Sequence, residues 1–219
     1  MFVKLINELQ DQGVLAAVAV ATDAVVQPSS DRLRAQIELL IEERKLNEFP
    51  PPDIKDAVRN LLKTGGFKPS GRNKPASEYL AQAAREGRFP FINNLVDINN
   101  LISLRTGLPM SLLDTEAVGE NLLLRFGREG ERYVFNSGGQ EIELKGLICA
   151  CNGDRDEPLG NAVKDSMTGK IKEHTKHVVA VIYAPSHGSL AQVAREQIEV
   201  FAQLLETEGR ASSVQTFCA

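Results

Sequence analysis

Tryptophan is absent from this chain, and aromatic residues make up only 5% of its 219 positions. A stacking platform for single-stranded nucleic acid, which needs several exposed aromatic faces, is therefore not expected. Cysteine is scarce too. Cys149, Cys151 and Cys218 do not make a disulfide framework, and a reducing, cytoplasmic compartment is the expectation. No apolar run reaches the roughly 18 residues needed to span a bilayer. The apolar stretch Val14 to Ala21 follows Glu8 and Asp11, where a signal peptide places positive charge, so no membrane association is expected. There is no P-loop, no G-x-G-x-x-G turn and no G-x-S-x-G elbow, which removes the commonest nucleotide-binding and serine-hydrolase readings. Net charge is −4 and the pI about 5.5, against broad nonspecific nucleic-acid binding but compatible with a local basic patch.

What is present suits a globular protein. Hydrophobic residues are 42% and charged residues 25% of the chain, and the length favours one domain, residues 1–219. Phe2 to Gln12 reads as a short helix ended by Gly13, and Val14 to Val20 as a buried strand. Asp31 to Leu46 places Leu33, Ile37, Leu40 and Ile41 on one helical stripe, with Ser29 or Ser30 as its cap. Pro50-Pro51-Pro52 breaks the chain before a helix over Asp53 to Lys63, and another helix spans Ser77 to Glu86. Short runs at Leu122–Phe126, Glu131–Phe135, Glu141–Leu144 and Leu147–Cys151, separated by Gly-containing turns, read as antiparallel strands. Val178 to Tyr183 reads as a central strand, Ser189 to Leu205 as a helix ended by Gly209, and Val214 to Phe217 as a last strand. The order of elements gives an α+β class with mixed and antiparallel sheets flanked by helices.

One stretch contains a local conflict. In Pro90 to Asp114, Leu95, Ile98, Leu101, Ile102 and Leu104 recur at helical spacing, yet Asn93, Asn94, Asp97, Asn99 and Asn100 crowd the first turns. Capping accounts for two or three of these polar residues. Asn99 and Asn100 are left in the helix body, so a polar pocket is the other reading. Just upstream, Lys63, Lys68, Arg72, Lys74, Arg85 and Arg88 are accompanied only by Glu78 and Glu86. This is either a solvated surface or a patch that contacts phosphate. Cys149, Cys151, His174 and His177 have ligand types that zinc accepts, but two Cys inside an apolar strand more often pack as thiols, and no metal is expected.

The segment PFINNLVDINNLISLRTGLPMSLLD, together with Pro75-Ala76-Ser77-Glu78-Tyr79-Leu80, resembles the B3/B4 domain, the tRNA-editing domain of the phenylalanyl-tRNA synthetase beta subunit. It is similar above all to stand-alone proteins made of that domain. The resemblance runs from about Lys74 to about Ser186, leaving a helical N-terminal elaboration (1–73) and a C-terminal helix (188–208). It implies a B3/B4-like fold and an editing pocket. Asn100 stands where the family's pocket Asn is found, and Asn99 stands on the Thr before it. Asp97 and Asp114 match Asp positions of the family. Ser111 replaces a His linked to the editing site, which removes a candidate proton carrier. Asp156 to Ser166 takes the place of a Gly-rich loop, with Asn161 and Ala162 as pocket positions. Thr175 keeps the match to the family, and Val181 stands where the synthetase has a Glu that reads a tyrosine hydroxyl.

From this we expect a free-standing domain that engages tRNA or aminoacyl-tRNA and needs no cofactor. One form is a deacylase of mischarged aminoacyl-tRNA. Asn99 and Asn100 would position the ester and a water, and backbone N–H groups of residues 158–163 would stabilise the oxyanion. The other is a binding module for tRNA, an amino-acid-like ligand or a translation partner. Candidate ligand-binding residues are Asn93, Asn94, Ser111, Asn161, Ala162, Lys164, Asp165 and Val181, with Arg105 as a further cation. Candidate RNA contacts are Lys68, Arg72, Lys74, Arg85 and Arg88.

Overall fold

The computed structural model describes every residue except Met1, Phe2 and Asn47. The chain runs β1 (Lys4–Asn7), a 3-10 turn (Gln10–Gln12), β2 (Val14–Thr22), α1 (Asp31–Leu46) and α2 (Pro52–Lys63). A second 3-10 turn (Gly71–Asn73), α3 (Ala76–Arg85) and α4 (Asn94–Thr106) follow. Next come β3 (Met110–Asp114), α5 (Thr115–Val118), β4 (Asn121–Phe126), β5 (Arg132–Val134) and β6 (Glu141–Glu143). The chain ends with β7 (Ile148–Asn152), β8 (Glu157–Asn161), β9 (Val178–Pro185), α6 (Ser189–Thr207) and β10 (Ser213–Cys218).

Two four-stranded sheets form the frame, in orders β10-β2-β9-β3 and β1-β4-β7-β8, with β5 and β6 as a separate hairpin. In the first sheet every pairing is antiparallel, and β9 lies between β2 and β3. β2 alternates small and branched residues, VLAAVAVAT, and is buried along almost its full length. Its alanines let α6 lie close against the sheet, and α4 packs on α6 in turn. The second sheet is mixed because β1 runs parallel to β4.

Three expectations need correction, and one strand is new. The helix expected over Phe2–Gln12 is instead strand β1 plus a single 3-10 turn, although Phe2 lies outside the described residues. Lys4-Leu5-Ile6-Asn7 alternates exposed and half-buried positions, the period of a strand at a sheet edge. The first 73 residues are thus not only helical, since they supply β1 and β2. The loop expected over Asp156–Ser166 begins as strand β8. Pro158 is tolerated there because β8 lies at the sheet edge. β3, not anticipated as a strand, pairs with β9 from Met110 opposite Ile182 to Asp114 opposite Val178.

α4 is the interior element. Ten of its thirteen residues are buried, so it has no solvated face on which Asn and Asp could rest. Every polar side chain on it must find a partner in the protein or line a cavity. Gly107 closes the helix in the left-handed region at φ 76°, with its N–H donated to the Ser103 carbonyl.

Candidate aminoacyl-end site

The polar residues of α4 divide into two groups. Asn93 caps the helix, its side chain accepting from the Val96 N–H at 3.0 Å. Asn94, fully buried, accepts from the Gln27 N–H at 3.0 Å and donates to the carbonyls of Val25 and Glu208, each at 2.9 Å. Asp97 accepts from the Ser29 hydroxyl at 2.5 Å and from the Ile92 N–H at 2.9 Å. These three side chains are spent on holding neighbouring chain. Asn99 differs. It is 8% exposed, and its Oδ1 is buried without a hydrogen-bond partner among the described residues. Asn99 and Asn100 both face a cavity. The conflict seen in the sequence therefore has both answers, capping at the first turn and a polar pocket one turn later.

The cavity has two lobes. An outer cleft of about 810 Å³ lies between α3, α4 and the β5–β6 hairpin. Tyr79 and Phe135 line it, with Arg72 and Arg88 among its exposed residues. An inner lobe of about 300 Å³ is walled by Ile92, Val96, Met110, Leu112 and Ile171, with Asn161, Asp165 and Lys170 as its polar side. Ala76, Asn99, Asn100, Met110 and Lys164 belong to both lobes.

Lys164 stands with its Nζ 4.1 Å from the Phe135 ring centroid. It has no carboxylate partner among the described residues. Burial, with repulsion from Arg72 second, lowers its pKa from the usual lysine value. Two cations left to repel each other at a cavity make a site for an anion.

Asp165 anchors the inner lobe. Its Oδ1 accepts from the Ser111 hydroxyl at 2.6 Å and the Asn161 N–H at 3.3 Å, and its Oδ2 accepts from the Leu112 N–H at 3.3 Å. Ser111 is also 2.8 Å from the Tyr183 hydroxyl. With the Ser111 proton directed to Asp165, Tyr183 is the donor to Ser111, and the order Tyr183, Ser111, Asp165 follows. Burial pushes the Asp165 carboxyl up to about 6, opposed by the hydrogen bonds from Ser111, Leu112 and Asn161 and by Lys170. Asn161 spends its side chain internally, donating to the Tyr133 hydroxyl at 2.5 Å and accepting from the N–H groups of Val163 and Lys164.

Several expected site residues lie elsewhere. Val181 is fully buried in mid-sheet, opposite Ser111 on one side and Val18 on the other, and is not part of either lobe's wall. Ala162 is buried, its carbonyl accepting from Ala76 N–H. Ser111 lies behind the wall and reaches the cavity only through Asp165. Arg105 points to Gln197 on α6 at 3.5 Å. Of the expected oxyanion donors, the N–H groups of Asn161 and Val163 are already committed, to the side chains of Asp165 and Asn161, and Pro158 has no N–H to offer. Thr175 donates to the Asp114 carboxylate at 2.6 Å and is structural. Of the cationic stretch, Arg72 and Arg88 belong to the outer cleft, and Arg88 is paired with Glu86. Lys74 and Arg85 face the opposite side of α3, and Lys68 is exposed in the loop before it. Asp165 as a titrating group was not foreseen, because its burial depends on β3, β8 and β9 meeting. Among the described residues no three His, Cys, Asp or Glu side chains gather as a metal site. Cys149 and Cys151 are buried in β7, and their thiol pKa values are raised by that burial.

A family model described as the B3/4 domain matches residues 67–198, more than half of the chain. The chain belongs to the B3/4 domain family. Among curated proteins it is similar to the "Phenylalanine--tRNA ligase beta subunit" of Aquifex aeolicus (strain VF5), 36% identical over 89 residues that make up 40% of this chain and 11% of that one. The protein of the same name from Clostridium tetani is 25% identical over 128 residues, 58% of this chain and 16% of that one. The chain thus spans only a small part of the relatives it matches. Among solved structures, an N-terminal fragment of the phenylalanyl-tRNA synthetase beta subunit from Pyrococcus horikoshii aligns over the whole chain and 56% of that fragment. The TM-score is 0.42 and the identity 11%. The B3/4 membership agrees with an α+β fold of mixed and antiparallel sheets flanked by helices. No helix among the described residues is long and apolar enough to cross a membrane.

Proposed function

We propose that this B3/4 domain receives the aminoacyl end of a tRNA and hydrolyses a mischarged ester there. The observation that carries the proposal is Asn99, whose buried Oδ1 has no partner in a wall shared by two lobes. A buried amide left unpaired costs about 1–3 kcal/mol, which a bound donor would recover. Similarity to synthetase beta subunits supplies the substrate class.

In this reading the terminal nucleotide occupies the outer cleft beside Tyr79 and Phe135, and Arg72 meets its phosphate. The aminoacyl side chain enters the inner lobe among Ile92, Val96, Met110, Leu112 and Ile171, which favours an apolar group. The ester carbonyl lies at the shared wall, with Asn99 and Asn100 positioning it. Lys164, rather than the committed N–H groups of Asn161 and Val163, faces the developing oxyanion. Asp165, ionised above about pH 6, takes a proton from the attacking water, and the tRNA hydroxyl leaves with a proton returned from solvent. Water adds to the acyl carbon, the C–O ester bond breaks, and free amino acid and tRNA result.

A second reading, binding without turnover, is favoured by the internal use of the Asn161 and Val163 N–H groups, which takes two oxyanion donors away from that loop. Incubation with a panel of mischarged tRNAs separates the two. The expected outcome is release of at least one apolar amino acid above the buffer rate. No release for any pair at high protein concentration, with saturable binding of a non-hydrolysable aminoacyl-adenosine amide, leaves the second reading. Neither release nor binding removes both.

A further inference from the structure

On the far side of α3 from the cleft lies a groove of about 560 Å³ at the joint of α1, α2 and α3. Five cations line it, Lys45, Lys55, Arg59, Lys74 and Arg85, against two carboxylates, Glu48 and Glu78. With Glu42 on Lys45 added, five cations stand against three carboxylates, still a local positive excess on a chain whose net charge is −4. Lys45, Lys55 and Arg59 precede residue 67, where the family match begins. They come from the C-terminal end of α1 and from α2.

The cations are held in position. Arg59 forms a two-pronged pair with Glu78, at 2.7 Å for each nitrogen. Arg85 donates to the Phe49 carbonyl at 2.7 Å. Lys55 lies 3.8 Å from Glu48, a loose pair that leaves its ammonium free to take another anion. Lys45 pairs with Glu42 on the exposed surface of α1. Such exposed pairs contribute little and exchange readily for a phosphate. Among the described residues no aromatic face is free in the groove, because Arg44 covers the ring of Phe49 at 4.2 Å. The groove therefore fits a charged backbone and not bases.

α3 is the ridge between the two sites. Tyr79, Gln82 and Ala83 face the cleft, while Glu78 and Arg85, seven residues apart, face the groove. Lys74 bridges them, since it lines the groove while its Nζ bonds Gln82 at 2.5 Å and lies 4.6 Å from the Tyr79 ring centroid. A helix with its side chains is about 10 Å across. At the roughly 3.4 Å axial rise per nucleotide of one duplex strand, that ridge corresponds to about three nucleotides.

We propose that the groove of Lys45, Lys55, Arg59, Lys74 and Arg85 binds the phosphodiester backbone of the RNA whose terminus lies in the cleft. The contact is independent of sequence, and it rests on the cleft reading for the placement of the RNA end.

The test uses the full chain and two probes, unfractionated deacylated tRNA and the trinucleotide CCA, titrated from 50 to 300 mM KCl. In the K45E/K55E double variant tRNA binding should weaken at least tenfold at low salt, with CCA binding unchanged. The dependence of log affinity on log salt should become shallower by about two, one for each phosphate that a lysine no longer neutralises. The K45Q/K55Q variant should lie between the two, and circular dichroism melts confirm that both fold. Wild-type binding of tRNA that the charge-reversed variant retains overturns the groove while leaving the cleft. Competition by polyglutamate as effective as that by tRNA overturns the phosphodiester assignment. Failure of the wild type to bind either probe overturns the cleft reading and the groove together.

Discussion

Ser111 and Asp165, 54 residues apart in the chain, are joined by a 2.6 Å hydrogen bond that fixes a carboxylate at the inner end of the cavity. A second hydroxyl, that of Tyr183, backs Ser111 from the neighbouring strand. The fold thus sets a carboxylate, a group able to accept a proton, against Ser111.

Asp165→Asn should abolish proton acceptance while keeping the shape of the lobe. Hydrolysis is expected to fall about 10²–10⁴-fold, with ligand affinity changed only a few-fold. The wild-type rate should rise with pH through an apparent pKa of about 6, and the variant's residual rate should lack that inflection. Stability gives a second readout. The carboxyl ordinarily titrates near 3.8 and here near 6, so between these values the native state holds a proton the unfolded chain has lost. Its contribution to stability is present below about pH 4 and is lost as pH rises through about 6. Urea unfolding at several pH values should show that fall in wild type and not in the variant. A flat rate profile in wild type would exclude Asp165 as the base.

Asn94 and Asn99 are expected to respond in opposite ways. Asn94 makes three hydrogen bonds that tie α4 to residues 25–27 and to the end of α6. Asn94→Ala should cost about 2–4 kcal/mol by leaving those backbone groups unpaired. Asn99 has a buried, unpartnered oxygen, so Asn99→Ala should change stability by less than about 1 kcal/mol, in either direction. It should nevertheless weaken binding of an aminoacyl-adenosine amide at least tenfold. Chemical denaturation and titration calorimetry on the two variants check both arms. A large stability loss in Asn99→Ala would mark that residue as structural.

How far the sequence disclosed this arrangement depends on the range of the forces involved. α1 was legible from Leu33, Ile37 and Ile41, with Ser30 confirmed as its cap by a 3.1 Å bond from the Leu33 N–H, because caps and stripes are local. The B3/4 kinship was legible because its motif is a continuous run. β1 was not, since four residues that alternate only weakly resemble a helix turn as well as a strand. Pro158 and Gly160 disguised β8, whose position at a sheet edge only the topology reveals. The conflict in α4 was visible, but its resolution was not. Whether an Asn meets the backbone of Val25 or an empty lobe depends on segments far away in the chain. The same holds for Lys74 and Arg85, which belong to the cationic stretch but turn to the other side of α3.

Gly160 tests how tightly the carboxylate is held. It lies in β8 opposite Ala150, with a backbone that any residue adopts. A methyl there would meet Asp165 Oδ1 at 2.6 Å, Ser111 Oγ at 3.0 Å and Leu113 Cδ2 at 3.1 Å. None of these is backbone, so the strand itself can stay. The Asp165 carboxylate, the closest of the three, must swing away and break its bonds to Ser111 and the Asn161 N–H. Gly160→Ala should therefore cost only about 1–3 kcal/mol, the range for overpacking. Hydrolysis should fall nearly as far as in Asp165→Asn, and the inflection near pH 6 should move upward, because the lost bonds from Ser111 and the Asn161 N–H are ones that oppose the effect of burial. Gly138→Ala is the control, since a methyl there meets nothing closer than Asn136 Oδ1 at 3.5 Å. Melting curves and pH–rate profiles of the two variants decide the matter. An unchanged profile in Gly160→Ala would show that the position of Asp165 is not what sets the rate.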